Sequence, residues 1–515
     1  MGVKDPAAVL SSERSRLVVV ILLFVAFAAA GTANHEMWRD EHHAWLLARD
    51  AASPVEVYRN LRWDMTPGFW HLLLWVVTRF THDPASMQLL NLAFATAAAW
   101  IVLRFAPLEL EQRALLVFGY YLGYEYAAIS RVYALGTLFI FVLCAVWERR
   151  HARAILVGVL LTLLANTPSL YGVIAAGFFL LLLALDLRGD AGARRGALVA
   201  LAIGGAGTIA ALWQTLPSSD NPFAAGKATL AFEPERVGRV IHFLASIFVP
   251  IPDASRYDWW NSNLVTGRSV LLDALIAAAG IALVCWLLWR RRDLLACWLL
   301  AVSGVLFAAY QGGFVGMRHG GYVFILFIAA LWIASAQRKA SSSSARQRLA
   351  LTLLLAVGVV GGLTAWFREL STEFSAAEKT ARWMRASGLE GMPIAGADDF
   401  VVASLASLLD LDRIYYPQRG EWGTFVSWDP GRRNTTLGDA TSDIASKVSV
   451  SGRPMLFVLT RPPTRIGPAG QVVVVREAMV APGVRGRLLA AFTDSVVSDE
   501  CLFVYEIAPN DPSSR

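Results

Sequence analysis

Charge is scarce in this sequence and cysteine scarcer still. Only 17% of the 515 residues are charged against 56% hydrophobic, and the mean hydropathy is +0.48, which excludes an ordinary soluble domain. The four cysteines, Cys144, Cys285, Cys297 and Cys501, have neither metal-ligand spacing nor a disulfide framework, so thiol chemistry is not the expected function. A glycine-rich phosphate loop and an internal repeat of useful period are both missing. The net charge of +6 sits largely in short connectors between apolar runs, where membrane orientation explains it, so no nucleic-acid partner is implied.

What the chain has is long apolar blocks, at residues 17–31, 86–103, 114–130, 132–147, 154–166, 169–186, 197–213, 269–289, 294–311, 319–336 and 349–366. They approach the roughly 20 residues a helix needs to cross a bilayer. A further run at 67–80, "TPGFWHLLLWVVTRF", would cover only about 21 Å of a roughly 30 Å core, so it is expected to lie in the interface as a juxtamembrane helix. That leaves about eleven spans. Arg104 and Arg113, Arg149 to Arg153, Arg188 to Arg195, Arg290 to Arg292 and Arg338 to Arg348 then share the side of the N-terminus, the positive-inside pattern.

The expected protein is a multi-pass protein of the cytoplasmic (inner) membrane, with its N-terminus cytoplasmic and its C-terminal region outside. Lys4, Arg14 and Arg16 precede the first run, but "FAAAGTANHE" is a loose match to a cleavage site, and the run reads as an uncleaved first helix. "QRKASSSSARQR" reads as a flexible cytoplasmic connector.

The fold class expected is an all-α polytopic membrane domain with juxtamembrane helices over 1–366, followed by an extracytoplasmic α/β domain over 367–515. In the latter, "STEFSAAEKTARWMRASG" is helical and stops at Gly388. "DFVVASLASLLD" and "LGDATSDIASKVS" read as helices, and "MPIAGA", "RIYY", "PMLFVL", "QVVVV" and "CLFVYEI" as strands.

This topology collects the polar and aromatic stretches on one membrane face. "MWRDEHHAW" puts Asp40 and Glu41 at the start of a short amphipathic helix, where a helix dipole favours them by about 0.3–1 kcal/mol. "YEYAAISRVYALG" carries Glu125, Arg131 and Tyr133 at the edge of apolar runs, where an unpaired buried charge costs several kcal/mol. "MRHGG" adds Arg318 and His319. His42, His43 and His71 could ligate zinc with Asp40, but adjacent histidines diverge on a helix and no spaced ligand pair accompanies them, so no metal site is assigned. Trp38, Trp63, Trp70, Tyr124, Tyr126, Tyr257, Trp259 and Trp260 read as an interfacial belt, some of them free to stack on a sugar.

The "DE" pair after the first span, "PGFWHLLLW" and "YAAISRVYAL", in that order and on one face, resemble the C-type (GT-C) membrane glycosyltransferases, in the group of the protein O-mannosyltransferases and lipid A aminoarabinose transferases. The resemblance covers roughly residues 15–150 and continues more loosely through "MRHGGYVFILF". It implies transfer of a sugar from a polyprenyl-phosphate carrier to a glycan, lipid or protein acceptor at the outer membrane face, with membrane lipid around it. Asp40 matches the essential acid and is implied as catalytic base, with Glu41 beside it. A carboxylate can take the proton of an attacking hydroxyl, and one-step displacement inverts the anomeric centre.

Arg131 and Arg318 are the candidate phosphate ligands, because a guanidinium holds two phosphate oxygens at once. Arg318 also fits a snorkelling interfacial arginine. Tyr133, His71 and His319 complete the candidate substrate-binding set. Glu125 could orient an acceptor, bind a divalent cation with Asp40, or pair with Arg131; the resemblance itself requires no cofactor. The external α/β domain would position the acceptor or serve as a stabilising cap. The alternatives are a transporter or flippase of a lipid-linked or anionic solute, which would need charges near the membrane midplane, and a non-catalytic assembly or sensing protein.

Overall fold

The computed structural model describes residues 6–216, 232–312, 316–336, 344–466 and 471–510. The start of the second large loop, most of the serine-rich connector and the first residues of "GFVGMRHGG" lie outside the described residues. In chain order the helices are α1 (Pro6–Asn34), α2 (Arg39–Arg49), α3 (Pro54–Asn60), α4 (Phe69–Thr78), α5 (Ala85–Phe105), α6 (Leu110–Val117), α7 (Tyr133–Val146), α8 (Ala154–Ala165) and α9 (Ser169–Leu185). The second half continues with α10 (Ala191–Thr215), α11 (Pro234–Phe248), α12 (Val270–Leu288), α13 (Arg292–Gly312), α14 (Met317–Ala336) and α15 (Ala345–Glu369).

Among the described residues, eight helices are long and apolar enough to cross a membrane: α1, α5, α9, α10, α12, α13, α14 and α15. The three remaining candidate runs take shorter forms. Residues 132–147 and 154–166 become α7 and α8, and the expected single span at 114–130 does not form. It breaks after α6 into a π-helical turn, Tyr120–Glu125, and then an irregular buried segment to Ser130. Irregular backbone survives among apolar helices only where its polar groups find partners, and here they do. The Asn91 amide donates to the carbonyls of Tyr126 and Ala127 at 3.1 Å each, and the Thr32 hydroxyl donates to Ala127 O at 3.2 Å. The run at 67–80 is realised as the ten-residue α4, too short to cross.

The α14 helix runs through the middle of the bundle, with 89% of its apolar window buried against 22% for α1. Its packing is close at Gly321, where a Cβ would lie 2.1 Å from Tyr126 Oη. That approach lets the Tyr126 hydroxyl donate to Arg318 O at 2.7 Å, tying the start of α14 to the irregular segment.

The C-terminal part adds α16 (Ala377–Ala386), α17 (Asp399–Leu408), α18 (Leu437–Ser451) and nine strands: β1 (Ile394–Gly396), β2 (Ile414–Tyr416), β3 (Glu421–Gly423), β4 (Met455–Leu459), β5 (Thr464–Ile466), β6 (Val472–Val474), β7 (Glu477–Ala481), β8 (Val484–Phe492) and β9 (Leu502–Pro509). Seven of them form one mixed sheet, in the order β3-β2-β1-β4-β9-β8-β7, and β5 pairs with β6. β1 is parallel to β2 and β4, whereas β9 is antiparallel to β4 and β8. The expected helices and strands are all present. Gly388 follows α16 with φ of +66°, the left-handed conformation that ends a helix at low cost. The β7–β8 hairpin was not expected, because arginines interrupt its apolar alternation.

This domain sits on the short helices between α1 and α5. Leu46 of α2 is fully buried within the same apolar cluster as Ile394, Val402 and Leu456. The Arg49 guanidinium donates to the carbonyls of Ala406 and Leu411 at 3.1 Å each. One helix therefore belongs to both cores.

Candidate active site

The first two turns of α2 divide its acidic pair. Glu41 is fully buried and faces inward: its carboxylate accepts from the Ser130 N–H at 2.5 Å and the Trp38 N–H at 3.1 Å. His35 lies between Glu41 and Glu369, its ring nitrogens 2.9 and 2.8 Å from their carboxylates. Both nitrogens face acceptors, so both donate. Burial alone would lower the His35 pKa, but the charges of Glu41 and Glu369 outweigh it and hold it well above the usual imidazole value. The Tyr124 hydroxyl closes the cluster on Glu369 at 2.6 Å. Glu41 thus stands outside the cavity described next, a correction to its expected place beside Asp40 at the reaction centre; the reason is that the break at 120–130 needs a buried acceptor.

Asp40, one residue earlier, points the other way, into a cavity of about 250 Å³. Arg131, Tyr133, His71, Arg318 and His319 line the same cavity, so six residues from four separate stretches of the chain meet there. Arg131 forms a charged hydrogen bond with Asp40, and the Arg318 guanidinium stands 3.8 Å from the same carboxylate. Burial would raise the Asp40 pKa, but Arg131 and Arg318 outweigh that and hold it below the ordinary carboxylate value. Asp40 is therefore ionised, and two guanidiniums share its one negative charge.

Arg318 is not a lone interfacial arginine. Its guanidinium lies 5.2 Å from the Trp38 ring and 5.3 Å from the Trp260 ring, a double cation–π contact that fixes the plane of the fork. His319 stacks on Tyr171 at 4.8 Å and 3°, and Tyr133 on Tyr126 at 5.5 Å and 11°. His71 is held neutral, its pKa lowered to about 3 by burial and by nearby His43 and Arg131.

Glu125 is elsewhere. It is buried, accepting from the Tyr120 hydroxyl at 2.8 Å and the Trp260 indole N–H at 3.3 Å, and it is not on the cavity wall. The pairing suggested for it with Arg131 is not formed: Arg131 turns to Asp40 instead. Among the described residues no group of three or more His, Cys, Asp or Glu side chains is placed to hold a metal ion.

The cavity also contains residues that the sequence did not single out as a pair. His43 Nε2 lies 3.0 Å from Asp64 Oδ2. Burial would lower the His43 pKa, but the Asp64 charge and hydrogen bond raise it above the usual value. No spacing signal marks Asp64, since it reaches His43 only through the fold of α3 and the following turn. Thr167 enters from the turn before α9, and Phe400 and Trp428 close the cavity from the α/β domain. Of the expected belt aromatics, Trp38, Trp70, Tyr124, Tyr126 and Trp259 are packed inside the protein instead.

The fold and site define a multi-pass membrane protein whose helical bundle carries, at one end, a small charged cavity roofed by an α/β domain. No family model matches the chain, and no curated protein matches its sequence. Among solved structures it is similar to the crystal structure of ArnT from Cupriavidus metallidurans bound to undecaprenyl phosphate, with 12% identity over 99% of each chain and a TM-score of 0.36.

Proposed function

We propose that the protein is an inverting glycosyltransferase of the C-type membrane class, which moves a sugar from a polyprenyl-phosphate donor to an acceptor hydroxyl. The carrying observation is the ionised Asp40 carboxylate held between Arg131 and Arg318 on the cavity wall. The two guanidiniums receive the donor phosphate, which competes with Asp40 for them. Losing part of that pairing raises the proton affinity of Asp40 once donor is bound.

The acceptor oxygen then bonds to the anomeric carbon while the bond from that carbon to the phosphate oxygen breaks. The hydroxyl proton passes to Asp40, and the polyprenyl phosphate leaves with its added charge on Arg131 and Arg318. Attack from the face opposite the leaving group inverts the centre. The basic connectors support a reading in which this cavity opens at the outer face of the cytoplasmic membrane, with the N-terminus inside and the α/β domain outside.

Asp40→Asn tests the reading. Transfer from a polyprenyl-phosphate sugar in membranes should fall by about 10²–10⁴-fold, with elution and thermal unfolding of the purified protein unchanged. Envelope glycans that are the same with wild type, Asp40→Asn or no protein would sink it.

A further inference from the structure

Beside the Asp40 cavity a wider cleft of about 710 Å³ opens between the far end of α2 and the α/β domain. The two hollows are built from the same segments. Trp63 lines the cleft and Asp64 the cavity; Ser427 and Asp429 line the cleft and Trp428 the cavity. Along α2, Asp40 and the cleft residue Arg49 are about 13 Å apart at 1.5 Å per residue. A ligand extending from the reaction centre by a few sugar units reaches this cleft.

The two hollows differ in charge. In the cavity two guanidiniums share one carboxylate, which suits a phosphate. In the cleft five carboxylates, Asp50, Asp410, Asp412, Glu421 and Asp429, face three arginines, Arg49, Arg59 and Arg419: Arg49 pairs with Asp50 at 2.6 Å and with Asp410 at 3.3 Å, and Arg419 pairs with Glu421 and Asp429. His82 also faces Asp410 at 3.3 Å. Carboxylates exceed arginines, so an anionic headgroup is repelled. Paired carboxylate oxygens and guanidinium N–H groups match vicinal hydroxyls, while Trp63 and Phe425 offer flat apolar surface to the C–H face of a sugar ring.

We propose that this cleft binds the non-reacting part of the acceptor and that the acceptor is a neutral glycan chain; this rests on the transferase reading above. An extended peptide is the competing occupant, because one edge strand of the sheet, β3, borders the cleft through Glu421 and Gly423. Its three residues are too few for a useful ladder of strand hydrogen bonds.

The test is binding to the full-length protein in detergent micelles. The probes are a size ladder of neutral hexose oligomers, the same ladder oxidised to uronic acids, an extended serine- and threonine-rich peptide, and vesicles rich in anionic phospholipid. Neutral oligomers should bind more tightly as they lengthen and more tightly than any other probe. Gly423→Trp should weaken them about tenfold or more, since Gly423 lies on the cleft wall and a Cβ there meets only ordinary contacts at 3.9–4.0 Å. Asn60→Ala and Asp412→Ala, on opposite walls, should weaken binding without altering elution.

Preference for uronic acids, peptide or vesicles overturns the proposal. So does neutral binding that ignores all three substitutions, or no neutral binding by the folded protein. Asp40→Asn should still bind the oligomers. If neither wild type nor any variant transfers sugar while the cleft substitutions abolish binding, the transferase reading fails and the glycan cleft stands; normal transfer by Asp40→Asn would remove only the base role of Asp40.

Discussion

Asp40 and Glu41 are adjacent, both acidic and on one helix, yet their surroundings set them to different tasks. Asp40 meets two guanidiniums at the cavity wall, whereas Glu41 meets a buried imidazolium and two backbone N–H groups. Removing Glu41 leaves the His35 cation with one partner and the Ser130 N–H buried with none. Glu41→Ala should therefore cost about 3–5 kcal/mol, read as a lower unfolding temperature in micelles, together with lost transfer. Asp40→Asn should lose transfer alone. An unfolding temperature for Glu41→Ala equal to that of wild type would show that Glu41 does not support the Ser130 turn. The sequence marks both acids and cannot tell them apart, since the difference lies in partners at residues 130, 131, 318 and 369.

At the scale of elements, apolar run length locates the helices well, and period-two patterning locates most strands. It fails at 114–130, where the run reads as a span although "YYLGYEYAAIS" carries four tyrosines and a glutamate. What breaks it is a set of distant partners, Asn91, Thr32 and Glu41, that accept an irregular backbone. π-helical turns of this kind are enriched at functional sites, and this one delivers Arg131 to Asp40. The meeting of α14 with the irregular segment depends on the missing side chain at Gly321. Gly321→Ala should push Tyr126 away and shift Arg318, costing about 1–3 kcal/mol and lowering transfer. Adding Tyr126→Phe should recover part of both, since it removes the clashing oxygen. A double variant no better than the single one would argue against that contact.

For the whole molecule, the seam between bundle and α/β domain carries a titrating group. Glu500 is fully buried, accepting from the Ser375 hydroxyl at 2.6 Å and the Arg39 N–H at 3.1 Å. Burial, offset only in part by Arg39 and Ser375, pushes its pKa from 4.5 up to about 7. A carboxyl whose folded pKa is raised binds more protons folded than unfolded between those values, so stability falls as pH rises. Protection of the seam from proteolysis should decrease from about pH 4.5 to about pH 7, and Glu500→Gln should flatten that slope. A slope unchanged in Glu500→Gln would assign the pH dependence to another group. Nothing in the sequence singles out Glu500, because "SDECLFVYEI" reads only as a strand with a polar start.

Leu46 and Arg49 lie in the core and the anchor of the α/β domain, on the same rigid rod as Asp40. The Asp40 carboxylate and the α/β domain are therefore carried by one element. A chimera that exchanges only the C-terminal domain for that of a different protein would graft a foreign core onto this leucine and arginine. A working exchange must carry the last two turns of α2 with the domain, and the boundary for protein engineering runs through that helix, between His43 and Ala44, instead of through the linker after α15.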